Sequence, residues 1–248
     1  MQYFKKIINH LKNLGLVKLI ALIVKKLKYK QMLKAESLED RFNMIYEDNL
    51  WSSEESISGE GSEVAYTENL RHWLIKKIDE LDIKKLVDAP CGDFNWMKHV
   101  TKEVDIEYLG IDIVQDIIVT NNSLYKNSNI SFNVGNLCKD ALPTCDLLMV
   151  RDCLFHLSFE DINNFLINIS NLEYKYLFTT SHIFESSHIN LDIISGDFRY
   201  IDLFKEPFNF RKADVIDRVD DVPENHSSRL REMVLIKKQN VPTSISNF

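Results

Sequence analysis

Leu86-Val87-Asp88-Ala89-Pro90-Cys91-Gly92-Asp93-Phe94-Asn95-Trp96-Met97 is the stretch whose reading decides the fold. A short apolar run ends on an acid, the chain turns, and the residues beyond the turn read as a helix over 94–101. Gly92 permits close backbone approach, and a helix opening there points free N–H groups outward, so a ligand is expected on this turn. A second apolar run, Tyr108-Leu109-Gly110-Ile111-Asp112-Ile113, ends on an acid about twenty residues later, where a carboxylate can accept hydrogen bonds from ribose hydroxyls. A dinucleotide-binding chain would keep Gly-x-Gly-x-x-Gly to seat a pyrophosphate. Here only the central glycine stands between Pro90 and Phe94, which counts against a nicotinamide or flavin enzyme.

Outward from this centre, strand and helix patterns alternate: strand 84–88, helix 94–101, strand 107–112, helix 114–126, strands 130–134 and 145–151, helix 159–170 and strand 174–180. Such alternation predicts an α/β fold with a doubly wound, mostly parallel sheet. Residues 193–210 read as loop, 213–217 and 231–237 as two closing strands, and the tail beyond Lys238 as fraying. Upstream, 64–81 reads as an amphipathic helix with Leu70, Trp73, Leu74, Ile78 and Leu81 inward; Arg71 and His72 in its first half are within reach of the site or simply solvated. Residues 37–47 read as a short helix begun by Ser37, with Asp40 three positions on.

Residues 2–34 read as a lysine-flanked helix, apolar from Leu14 to Val24. That run is too short to span a bilayer, which needs about 20 apolar residues. It also lacks the small-residue cleavage site of a secretory signal. Three readings stay open: docking on its own domain or a second copy as a homodimer, lying in a membrane interface, or a loosely ordered arm. Residues 1–35 hold nine lysines and no acid, leaving the remainder with 37 acids against 21 basic residues, a balance of −16. So acidic a main domain disfavours a nucleic-acid partner. Cys91, Cys138, Cys145 and Cys153 form no C-x-x-C pair, which argues against zinc or a disulfide framework and fits a reducing cytoplasm. Cys91 is either activated by the adjoining helix terminus or simply a small residue that fits the turn.

The first motif at 88–97, with the acid-terminated strand at 108–113, resembles class I S-adenosylmethionine-dependent methyltransferases. More narrowly, it is similar to a group of stand-alone bacterial methyltransferases carrying Asp-Ala-Pro-Cys-Gly-Asp-Phe-Asn-Trp-Met. The likeness covers roughly residues 40 to 237. It implies a Rossmann-like sheet with an N-terminal helical extension: 1–63 for extension and lid loop, 64–240 for an S-adenosylmethionine-binding domain, 241–248 for a tail. It also implies that Asp88, Ala89, Pro90, Cys91, Gly92 and Phe94 surround the cofactor, that Asp112 and Ile113 hold the ribose side, and that Asn136 and Leu137 meet the adenine, with Asn136 replacing the more usual Asp. Trp51, Ser56, Ser58, Gly59 and Gly61 match a Trp/Ser/Gly lid loop, with Arg71 as a further substrate-side candidate.

Val150-Arg151-Asp152-Cys153-Leu154-Phe155-His156-Leu157 leaves a strand at the edge where open α/β sheets bind ligands, which puts Arg151 beside the cofactor and makes His156 and Asp152 catalytic candidates. A neutral histidine is the commonest base for a hydroxyl acceptor. His182, at the end of the next strand, is the second choice of base. His182 and His188 flank Phe184-Glu185, but nothing in that spacing enforces metal binding, so no metal is expected. The function expected is methyl transfer from S-adenosylmethionine to a hydroxyl on a small polar acceptor, with a nucleotide-linked sugar or surface-glycan unit as context. The rivals are an amine, protein or lipid-linked acceptor at the inner face of the membrane, and a non-catalytic S-adenosylmethionine-binding partner.

Overall fold

The computed structural model describes residues 2–184, 187–223 and 231–246, the side chains of 2–14, 16 and 17 excepted. Among these residues six α-helices, α1 (Gln2–Met32), α2 (Leu38–Glu47), α3 (Glu68–Glu80), α4 (Met97–Val100), α5 (Gln115–Tyr125) and α6 (Phe159–Ser170), accompany seven strands. These are β1 (Lys85–Asp88), β2 (Glu107–Asp112), β3 (Ile130–Val134), β4 (Leu147–Val150), β5 (Tyr176–His182), β6 (Val215–Asp220) and β7 (Arg231–Lys237). They form one sheet in the order β3-β2-β1-β4-β5-β7-β6. Strands β1 to β5 run parallel, while β7 is antiparallel to both β5 and β6.

The sheet is apolar on both faces because alternate residues of each central strand point opposite ways. Val87, Leu148, Val150, Leu177, Val234 and Ile236 join one core with α6. Leu86, Leu147, Met149, Phe178, Met233 and Leu235 join the other, with α3 and α4. On the α6 side, Ile201, Leu203, Phe208 and Phe210 of the long β5–β6 connection complete the cover in place of a further helix. A third, smaller core joins Met32 of α1 to Ile45 of α2 and Leu50.

Three expectations are corrected. The helix after the first turn is a single turn, Met97–Val100, because Gly92 and Phe94 take positive φ of 53° and 60° and delay its start. The helix read over 64–81 begins only at Glu68. The tail does not fray through Ser246: Ile245 is buried, its N–H donates to Asn163 Oδ1 at 3.1 Å, and the Ser246 N–H donates to the Pro207 carbonyl at 2.9 Å. The Ser37 cap forms as read, its Oγ accepting from the Asp40 N–H at 3.0 Å.

Candidate active site

Strand order reverses between β1 and β4, and a cavity of ≈ 300 Å³ opens at that switch point, outside the carboxyl ends of the strands. Asp88 closes β1 and accepts the Tyr108 hydroxyl at 2.8 Å. Asp112 closes β2, its Oδ2 accepting the Gly92 N–H and its Oδ1 the Val114 N–H, both at 3.0 Å. Both carboxyls line the cavity and both are buried. Neither has an ion-pair partner among the described residues. Burial therefore pushes Asp88 up to about 7 and Asp112 up to about 6, with hydrogen bonds opposing the rise at both and the charge of Arg151 also opposing it at Asp88.

The turn between these acids is closed by the loop at 52–63. Asp93 gathers it: the Ser56 hydroxyl donates to Oδ2 at 2.9 Å, the Ile57 N–H to Oδ2 at 3.0 Å, and the Asp93 N–H donates to Ser58 Oγ at 3.1 Å. Asn95 adds two bonds, to Glu55 Oε1 at 2.7 Å and the Ser62 carbonyl at 3.1 Å. A Cβ on Gly92 would lie 2.2 Å from Ser58 Oγ, so the 52–63 loop sits where any side chain at 92 would be. The turn's free N–H groups, expected to face a ligand, are therefore partly spent: Gly92 on Asp112 and Asp93 on Ser58 of that loop.

At the other end, Arg151 and Arg231 interlock with Asp152 and Asp221. Arg151 Nη2 donates to Asp221 Oδ1 at 2.9 Å and to the Gly61 carbonyl of the lid at 2.7 Å. Arg231 Nη1 donates to Asp152 Oδ2 at 3.0 Å, and its Nε to the Asp221 carbonyl at 3.0 Å. Two guanidiniums and two carboxylates balance, which makes the burial of Arg151 and Asp221 tolerable. Asp152 is thus held by arginines and makes no hydrogen bond to His156.

His156 is half-buried in the cavity wall, 5.3 Å between ring centres from Trp51, with Phe155 and Phe198 beside it. Its Nδ1 lies 2.8 Å from the Asp197 carbonyl. Burial lowers its pKa, which keeps the ring neutral.

Of the residues read from the sequence, the cavity brings together Trp51, Ser58, Gly59, Gly61, Asp88, Pro90, Cys91, Gly92, Asp112, Ile113, Asn136, Leu137, Arg151, Asp152 and His156. Others lie outside it. Ala89 is core, its N–H donating to the Met149 carbonyl at 3.0 Å, and Phe94 packs among Tyr108, Tyr125 and Phe132. Arg71 Nη2 donates to the Val64 carbonyl at 3.1 Å, behind the lid, and His72 is exposed on α3. Ser56, within the 52–63 loop, is off the cavity wall and ties that loop to Asp93. His182 is buried between Phe155 and Tyr200 with its Nδ1 near the Ile201 backbone, and burial pushes it down to about 4. Cys91 is not activated: burial drives its thiol up. Among the described residues no group of three His, Cys, Asp or Glu could hold a metal; Glu185 lies outside them.

The sequence reading assigned no role to Asp93, Asn95, Asp221, Arg231 or Asp197. Asp93 and Asn95 had a signal, since they sit in the first motif opposite a loop rich in hydroxyls. Asp221 and Arg231 had none, lying 70 and 79 residues from their partners Arg151 and Asp152. The cavity is also walled by Leu38, Phe42, Ile45 and Tyr46 of α2, which read only as a short helix.

No family model matches the chain, and no curated protein matches it. Solved structures do resemble it. Human N-acetylserotonin methyltransferase in complex with SAM gives a TM-score of 0.53 at 13% identity, over 82% of this chain and 60% of that one. Magnesium protoporphyrin IX methyltransferase from Synechocystis PCC 6803 with bound SAH gives 0.54 at 10% identity, over 81% and 97%. The methyltransferase domain of bacterial CtHen1 gives 0.54 at 12% identity, over 69% and 98%. This chain thus spans only 60% of the human protein's length. With its strand order and the antiparallel seventh strand between β5 and β6, the chain has the Rossmann-like fold of class I methyltransferases.

Proposed function

We propose that this protein moves the methyl group of S-adenosylmethionine to a hydroxyl on a small acceptor. One observation carries the reading: two buried carboxyls with no cation at ion-pair distance among the described residues, Asp88 and Asp112, share a cavity with a neutral imidazole, His156. S-adenosylmethionine bears a sulfonium and an ammonium, and a cation is what such a pair of acids lacks. Asp112 keeps lone pairs beyond the two N–H groups it accepts, enough for ribose hydroxyls. Ile113, Ile117, Leu137, Leu38 and Phe42 offer apolar walls for a flat base near Asn136.

The cofactor would supply an activated methyl carbon, leaving the protein to align the acceptor and take up one proton. His156 is the group suited to take it, through Nε2. Trp51, Phe155, Phe198 and Tyr46 wall the same cavity, and their ring faces suit the C–H face of a sugar, in keeping with a nucleotide-linked sugar or surface-glycan unit as acceptor. A second reading, an amine, protein or lipid-linked acceptor at a membrane, draws on the exposed apolar residues of α1. Four free, buried cysteines support a reducing, cytoplasmic setting. The test is an acceptor screen that follows S-adenosylhomocysteine release across nucleotide sugars, glycan units, amines and lipid-linked sugars. Turnover with a hydroxyl acceptor supports the reading; tight cofactor binding with no turnover on any class would leave a non-catalytic binding protein.

A further inference from the structure

Helix α1 divides into two stretches. Between Lys25 and Met32 one face meets the domain: Lys25 bonds Ser52 of the lid loop, Lys28 pairs with Asp48, the Tyr29 hydroxyl bonds the Asp197 carboxylate, and Met32 is buried with Ile45 and Leu50. Between Lys18 and Val24 every residue is exposed. Leu19, Ile20, Leu22, Ile23, Val24 and Leu27 are each 44–65% exposed. At about 100° per residue, Leu19, Ile20, Ile23, Val24 and Leu27 share one arc, whose centre lies about 160° from the docked face. The contacts that fix α1 to the domain therefore aim its apolar stripe away from it.

Charge selects what covers that stripe. Residues 1–35 carry nine lysines and no acid. A second copy of α1 laid on the stripe would set nine further lysines against the first nine. The domain's acidic surface answers the charge, but the contacts from Lys25 to Met32 turn the stripe away from it. An anionic lipid surface answers both, taking the stripe among its acyl chains while lysines reach the headgroups. No helix among the described residues is long and apolar enough to cross a membrane, so the helix would lie along the surface.

We propose that α1 is an interfacial anchor that holds this protein on an anionic phospholipid surface. The proposal stands independently of the chemistry at the site. Through Ser52 and Asp197 the anchor also borders the lid and the loop that holds His156, which brings that rim of the cavity near the lipid.

The test is co-sedimentation of the full chain with vesicles of phosphatidylcholine alone and of equal parts phosphatidylcholine and phosphatidylglycerol. Binding is expected only to the second, and should weaken with salt. The double variant Ile20→Glu with Ile23→Glu changes two exposed residues of the stripe, so its melting temperature should match wild type while vesicle binding falls at least about tenfold. Lys18→Gln with Lys26→Gln should weaken binding to a smaller degree. Failure of the wild type to sediment with anionic vesicles, or equal sedimentation of the double variant, would overturn the proposal. So would a wild-type dimer in light scattering that the double variant dissociates, since a second copy would then cover the stripe.

Discussion

The Nδ1 of His156 lies 2.8 Å from the main-chain oxygen of Asp197, and a carbonyl oxygen can only accept. The neutral ring therefore carries its proton on Nδ1 and keeps its lone pair on Nε2, the state a general base requires. His156→Gln should lower turnover by about 10²–10⁴ with cofactor affinity nearly unchanged, as steady-state kinetics beside calorimetry would show. His182→Gln should leave turnover per folded molecule intact, because that ring lies outside the cavity. A His156→Gln protein that melts earlier yet turns over normally would reduce His156 to packing.

The pH dependence separates base from acids. Burial lowers the His156 pKa, so its limb in kcat at saturating cofactor should fall below the ordinary histidine value of 6.5. Asp88 and Asp112 are raised from 3.8 to about 7 and about 6, so the folded apo-protein holds protons that the unfolded chain has released. Their contribution to stability is present below the unfolded value and lost as pH rises through 6 and 7. The apo melting temperature should decline across that window, while S-adenosylmethionine affinity climbs as the acids ionise.

Asp88→Asn keeps an acceptor for the Tyr108 hydroxyl but removes the buried ionisation. Above about pH 7 it should stabilise the apo-protein by up to about 4 kcal/mol, and it should weaken cofactor binding. Thermal melts with and without S-adenosylmethionine would show the two effects with opposite signs. A variant destabilised at every pH would contradict the account of Asp88 as an acid awaiting a cation.

Asp112→Ala should weaken S-adenosylmethionine binding by roughly 1–3 kcal/mol, the range for hydrogen bonds to a charged group. It also removes the acceptor for the Gly92 and Val114 N–H groups, so some melting temperature should be lost as well. Calorimetry at a temperature where the variant is fully folded separates the terms. Unchanged affinity would remove Asp112 from the cofactor site.

Asp93→Ala strips the lid of its acceptors for Ser56 and Ile57 while leaving the cavity walls in place. The expected signs are faster proteolytic cleavage within 52–63, faster cofactor dissociation in stopped flow, and affinity lower by about 10–100-fold, in line with losing bonds to a charged acceptor. Gly59→Ala should act the same way more weakly: φ is +94°, and the new Cβ would lie 3.3 Å from Trp51 Cβ.

The parallel sheet, its strand-end acids and the ligand-bearing edge were legible in the sequence because each follows from local pattern. Apolar runs of strand length, a glycine after an acid, and the alternation of periods 2 and 3.6 are properties of a few neighbouring residues. So is the cap at Ser37, which forms over three residues. Tertiary structure alone decided the rest, because it pairs groups that the chain keeps far apart. Asp93 meets its partners only once the 52–63 loop folds over it, Asp152 turns to Arg231 rather than His156 only once β7 lies beside β5, and His156 acquires its tautomer from a carbonyl 41 residues away. The expected helix at 94–101 shrank to Met97–Val100 because Phe94 takes a φ of 60° in a turn held by Asp112 and the 52–63 loop, a constraint no local propensity registers.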